Sequence, residues 1–197
     1  MSQTRKHKLI IAISGASGAA YGIEMLRQTQ AMADVETHLV VSASGFLTIA
    51  AELKMKRSDV EALADEVHAD SNIGASIASG SYPSKAMIIA PCSMKTLGCI
   101  ANGIGNSLIT RAADVMLKER RRLILMARET PLNLAHLRNM SSVTEMGGIV
   151  YPPLPALYSA PPDIETMVRE TVGRVLALAG QDNDLYAPWQ GLNKDRD

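Results

Sequence analysis

The stretch that decides the fold spans residues 111–132 and reads RAADVMLKERRRLILMARETPL. Helical spacing fills its first half, and three contiguous arginines follow. Leu123, Ile124, Leu125, Met126 and Ala127 then form an unbroken apolar run. A run that short, flanked by helical patterns, reads as a strand buried on both faces. Arg128-Glu129-Thr130-Pro131 comes next, where a parallel strand would end, and that is the edge at which open α/β sheets bind ligands. The stretch gathers Arg111, Lys118, Arg120, Arg121, Arg122 and Arg128. The 197-residue chain is neutral overall, with 20 Lys and Arg against 20 Asp and Glu. A neutral protein with one basic segment does not read as a nucleic-acid coat. It reads as a protein that collects a few cations around a small anion. Arg120, Arg121 and Arg122 cannot all face one pocket and are expected in solvent.

Outward from that stretch, strands alternate with helices. Residues 8–14 (KLIIAIS), 35–42 (VETHLVVS), 86–90 (AMIIA) and 149–150 read as further strands, with Pro91 stopping the third. Helical spacing covers 19–33, 45–54, 94–101, 107–119 and 164–178. Ser58-Asp59-Val60-Glu61 is a capping-box pattern that predicts a helix over 59–67. Thr130-Pro131 reads as N-cap and first helical position of a helix reaching about Glu145. Residues 151–155 (YPPLP) form a stiff connector. This alternation predicts one doubly wound α/β domain over residues 1–197 with a mostly parallel sheet, closed by a C-terminal helix and tail.

Composition sets the outer bounds. The chain is 47% hydrophobic but only 4% aromatic, with 11 methionines, so an aliphatic core is expected. No apolar run approaches the roughly 20 residues that span a bilayer. The basic start MSQTRKHK leads directly into a strand without a small-residue cleavage site, so no secretory leader is read there. Cys92 and Cys99 lack a CxxC or His-rich partner and read as reduced thiols of a cytoplasmic protein.

Three groups of residues suggest chemistry. Ser14-Gly15-Ala16-Ser17-Gly18 lies between the first strand and the first helix, where glycines let a backbone approach an anion at a helix N-terminus. Phosphate or flavin fits better there than NAD, whose ribose usually takes an acidic residue at the end of the second strand; this chain has Ser42. Pro91-Cys92-Ser93-Met94-Lys95-Thr96 opens a helix after the third strand. It lacks the glycines of a P-loop, and Ser93 is explained by N-capping alone. Arg128-Glu129 offers a proton-transfer carboxylate beside an anion clamp. Tyr158 and Arg174 carry little meaning singly, and neither HExxH, a Cys/His cluster nor an Asp-rich metal motif is present.

In this order the blocks SGASGAAYG (14–22), SGS (79–81), PCSMKTL (91–97), RAADVMLKERR (111–121), RETPL (128–132), HLRNM (136–140), PPLPALY (152–158) and WQG (189–191) resemble the UbiX-type flavin prenyltransferases across nearly the whole chain. The resemblance implies a flavodoxin-like or Rossmann-like three-layer fold. It also implies a metal-independent transfer of dimethylallyl, from dimethylallyl monophosphate, to N5 and C6 of reduced FMN. The product would be prenylated FMN for a partner UbiD-type decarboxylase. By motif position, Gly15, Ala16, Ser17, Ser42, Ser93, Met94, Lys95, Thr96 and Arg128 are implied to contact FMN. Lys118, Arg111, Arg128, Tyr158 and Arg174 would surround the prenyl phosphate, and Glu52 would reach a neighbouring subunit's site. Glu129 and Ser17 would handle protons, with Lys118 also catalytic, in a homo-oligomer, by family a dodecamer. Two alternatives remain beside this reading. One is a flavin-dependent cysteine-type decarboxylase, whose early histidine and Pro-x-Met-Asn block are missing here. The other is a non-catalytic FMN-carrying subunit of an aromatic acid decarboxylase.

Overall fold

The computed structural model describes residues 6–191, so the first five and last six residues of the chain, including most of the basic start, lie outside the described part. The strands are β1 (His7–Ile13), β2 (Val35–Val41), β3 (Glu66–Ala69), β4 (Ser84–Cys92), β5 (Arg122–Ala127) and β6 (Ile149–Val150). All pair in parallel, in the order β3-β2-β1-β4-β5-β6. This is the Rossmann order, whose winding reverses between β1 and β4. The helices are α1 (Ala19–Gln30), α2 (Ala43–Leu53), α3 (Arg57–Glu61), α4 (Met94–Ala101), α5 (Leu108–Lys118), α6 (Leu134–Glu145) and α7 (Ile164–Leu178).

Side-chain alternation divides the core into two layers. Ile11, Ile88 and Met126 face α1 and α7, while Ile10, Ile89 and Leu125 face α4 and α5. Each of these six is fully buried. At about 1.5–3 kcal/mol for a buried aliphatic side chain, such runs hold the central strands in place. Gly22 lets α1 lie directly on the sheet, since a Cβ there would sit 2.3 Å from the Ala90 carbonyl oxygen.

Three elements differ from the sequence expectation. The helix expected over 59–67 stops at Glu61, and Glu66–Ala69 is an edge strand. Asp65 explains the change: its carboxylate accepts the Thr37 backbone N–H at 2.8 Å and the Thr37 hydroxyl at 2.9 Å, drawing the chain alongside β2. The helix expected from Pro131 begins at Leu134, because Asn133 caps it by accepting the His136 N–H at 2.9 Å. Strand β4 continues through Pro91 to Cys92, with a register shift between Ile89 and Cys92 that accommodates a residue lacking a donor.

Candidate active site

The site forms where the chain leaves the strands. Gly15 follows β1, Ser42 follows β2, Asp70 follows β3, Ser93 follows β4 and Glu129 stands two residues after β5. All five line one cavity of about 410 Å³ at the carboxyl edge of the sheet. Ser14 stitches the two loops at the winding reversal. Its hydroxyl donates to the Pro91 carbonyl at 3.0 Å and accepts the Ser93 N–H at 2.8 Å, while its side chain is buried.

Three helices begin at this cavity, each capped by a serine that lines it. Ser42 accepts the Gly45 N–H of α2, Ser93 the Thr96 N–H of α4, and Ser107 the Thr110 N–H of α5. The positive ends of α2 and α4 therefore face this space together with the Lys95 side chain, while at the start of α5 the Asp70 carboxylate already accepts the Ile109 N–H at 3.0 Å. Hydroxyls, helix-start amides and an ammonium form a donor-rich wall that suits a phosphate and the hydrogen-bonding edge of a planar ring. The same donor set is what FMN requires.

Of the residues expected at the flavin, Gly15, Ser42, Ser93, Met94, Lys95 and Thr96 line this cavity, together with Glu129. Ala16 and Ser17 lie in the same turn but outside its walls. Sequence reasoning missed Ser44, Asp70, Asn106, Ser107 and Thr110, which also line it. Ser107 carried a usable signal, a serine directly before an amphipathic helix. Asp70 carried none, because its place depends on the unexpected strand β3. Cys92 is no nucleophile: it is fully buried, and burial pushes its thiol up.

Glu52 is engaged within its own chain. Its carboxylate accepts the Gly18 N–H at 3.0 Å and the Ala19 N–H at 2.9 Å, so the N-terminus of α1 already holds an anion. Burial opposes its ionisation, but the Ser17 hydroxyl, these two amides and nearby Arg128 outweigh that and keep the carboxyl below its usual range.

Tyr158 and Arg174 meet in a second cavity of about 210 Å³, walled also by Tyr151 and Tyr186. Burial raises the Tyr151 phenol, opposed by the Arg174 charge, and Tyr21 adds to the rise. Burial likewise raises Tyr21, opposed by the charge of Arg128. Arg128, expected at both ligands, lines neither cavity; it follows β5 directly before Glu129, and its charge reaches Tyr21 and Glu52. Trp189 packs edge-on to Tyr158 with ring centroids 5.1 Å apart.

Two expected phosphate ligands are not with them. Arg111 is ion-paired with Asp114 at 2.6 Å on the first turns of α5 and does not line either cavity. Lys118 ends α5 and pairs with Glu119 beside Gly80, at the strand-start edge of the sheet. The six residues of β5 separate that edge from Glu129 by about 20 Å. No small ligand touches both within one chain.

The flavoprotein family model matches residues 1–178. A flavin prenyltransferase UbiX of Neisseria meningitidis serogroup B is 55% identical over 185 residues, 94% of this chain and 97% of that protein. A UbiX protein crystallised with FMN and dimethylallyl pyrophosphate superposes with a TM-score of 0.93 at 46% identity, over 96% of this chain and 100% of that one. A dodecameric FMN-dependent UbiX-like decarboxylase of Escherichia coli O157:H7 gives 0.91 at 43% identity, over 93% and 100%. The chain belongs to the flavoprotein family and, within it, to the UbiX flavin prenyltransferases.

Proposed function

We propose that this chain acts as one flavin-binding domain that transfers a dimethylallyl group from dimethylallyl monophosphate to N5 and C6 of reduced FMN. The prenylated FMN passes to a UbiD-type decarboxylase in the cytoplasm. The observation that carries this reading is a pair of cavities with complementary linings. One is ringed by three helix starts and Glu129, and the other holds Tyr158 and Arg174. Reduced FMN, when bound, supplies the two nucleophilic positions.

Ser42, Ser93, Thr96 and the helix-start amides hold the flavin, with Gly15, Ala16, Met94 and Lys95 beside it. Arg174 and the Tyr158 hydroxyl hold the prenyl phosphate, and Arg128 serves both ligands. The reaction breaks the allylic C–O bond and expels phosphate with the bonding pair. Cations fixed around the departing oxygen stabilise the charge that develops there. Glu129 moves a proton at the reacting edge, supported by the Ser17 hydroxyl.

Lys118 completes the phosphate site from a neighbouring copy in a homo-oligomer, which we take to be a dodecamer, because its own site lies too far away. The exposed side chains of Leu154, Leu157 and Ile164, close in sequence to Tyr158, give such an assembly an apolar surface to bury. Arg111 joins the site only if its ion pair with Asp114 opens.

The test is the mass of the flavin released after anaerobic incubation with reduced FMN and dimethylallyl phosphate. A flavin heavier by one isoprene unit is expected. Unmodified FMN bound tightly and released unchanged would instead support the flavin-carrying subunit.

A further inference from the structure

His38 is fully buried in the middle of β2, and the flavin site does not use it. Parallel pairing sets His38 opposite Glu66 and Val40 opposite His68. Side chains two residues apart on a strand share a face, so His38, Glu66 and His68 project together. Their atoms converge on one point. His38 Nδ1 lies 3.0 Å from His68 Nε2 and 3.0 Å from Glu66 Oε2, and His68 Nε2 lies 3.5 Å from the same oxygen. Three donors held 2.0–2.2 Å from one zinc ion at tetrahedral angles stand about 3.3–3.5 Å apart. Movements of a few tenths of an ångström, with a turn of the two nearly coplanar rings that now point nitrogen to nitrogen across centroids 5.3 Å apart, bring these three atoms to that geometry.

The far side of the His38 ring sets its tautomer. Glu36 Oε1 lies 3.0 Å from His38 Nε2, and Lys8 pairs with the same carboxylate. The Tyr82 hydroxyl also lies 3.2 Å from Nε2; in the tautomer that donates an Nε2 proton to Glu36, the Nδ1 lone pair faces His68 and Glu66. With a divalent ion in place of the proton that the 3.0 Å nitrogen–nitrogen contact otherwise shares, two nitrogen lone pairs and a carboxylate oxygen meet there. A carboxylate behind a ligating histidine is the arrangement that orients imidazole toward a metal. The site can also be reached, since His68 lines a surface cavity of about 450 Å³ and the Glu66 side chain is half exposed.

We propose that His38, Glu66 and His68 form a three-ligand site for a divalent transition-metal ion. Zinc is the best match to two imidazoles and one carboxylate, with a water as fourth ligand. The ion bridges β2 to the four-residue edge strand β3 and so clamps the end of the sheet that presents Asp70 to the flavin cavity. It takes no part in prenyl transfer.

The experiment uses the full-length, untagged protein, stripped with EDTA, dialysed and titrated with zinc chloride against a chromophoric chelator. One equivalent per chain is expected in the wild type. Glu66→Gln and His68→Ala should bind at least about tenfold more weakly, Glu36→Gln about 10–100-fold more weakly, and His136→Ala as wild type. Zinc should raise the thermal midpoint of the wild type but not of Glu66→Gln. Cobalt(II) added to the stripped wild type should give the visible absorption of a four-coordinate ion, a readout that needs no variant to fold. A shared proton in place of the ion predicts no stoichiometric zinc uptake and no such absorption. Either result, or equal zinc affinity in wild type, Glu66→Gln and His68→Ala, overturns the proposal.

Discussion

Glu129 is the residue on which the proposed chemistry turns, because it is the carboxylate that the end of β5 brings to the wall of the flavin cavity. Glu129→Gln keeps the shape and removes the titratable proton. Flavin binding should persist while transfer slows by about 100-fold or more, the usual range for a general acid–base group. Single-turnover absorbance traces at the wild-type rate would remove Glu129 from the mechanism. Ser14 acts at the same scale without touching ligand. Ser14→Ala leaves the Ser93 N–H short of a partner, at a cost of about 1–3 kcal/mol, while the Pro91 carbonyl keeps the Ser14 backbone N–H. Stability and FMN affinity should therefore fall together, measured by denaturant titration and calorimetry. Loss of affinity at unchanged stability would mean that Ser14 meets the flavin directly.

Among the elements, the starts of α2 and α4 do most to make the site electropositive, since Asp70 engages the start of α5. Ser107→Ala removes the cap of α5 and should cost about 1 kcal/mol, seen as a lower thermal midpoint and weaker FMN binding. The start of α1 likewise holds a carboxylate, that of Glu52 of α2. The folded carboxyl titrates below its unfolded value, so the contact stabilises fully above about pH 4.3 and is lost as pH falls through the folded value. Glu52→Gln should lower stability at neutral pH by about 0.5–1 kcal/mol and shrink the gap to wild type in acid. Unfolding curves whose separation is the same at pH 7 and pH 3 would contradict the cap.

At the scale of the whole molecule, Lys118 and Glu129 occupy opposite edges of one sheet. A site that needs both must be built from two copies. Light scattering should give a multiple of the 21.1 kDa chain mass. Lys118→Met and Glu129→Gln should each be nearly inactive, yet mixed oligomers refolded together should regain part of the activity, because some sites receive both intact residues. A mixture no more active than its parts would place Lys118 outside the site. Arg174→Ala should weaken use of dimethylallyl phosphate by about 1.5–3 kcal/mol with FMN affinity little changed, and Tyr158→Phe should do less. Equal losses of FMN affinity in both variants would merge the two cavities into one flavin pocket.

The sequence by itself determined the alternation of most strands and helices, the ligand edge of the sheet and seven of the fifteen residues that line the cavity there. Those features have local signals: an apolar run such as 123–127 marks a strand that must find cover on both faces, and Ser42 and Ser93 cap the helices that follow them. Only the tertiary structure decided the rest. Strand β3 has four largely exposed residues and no apolar pattern of its own, and it exists through pairing with β2 and the grip of Asp65 on Thr37. Glu52 reads as a surface acid until α2 packs beside the first turn of α1. Tyr158 and Arg174 are 16 positions apart in the chain and meet only because the connector after β6 folds back onto α7. Lys118 and Glu129, 11 positions apart, are parted because an extended strand runs between them. Proximity in the chain and proximity in space agree at the strand ends, where one residue follows the next into the site. They part wherever a contact depends on the packing of distant segments.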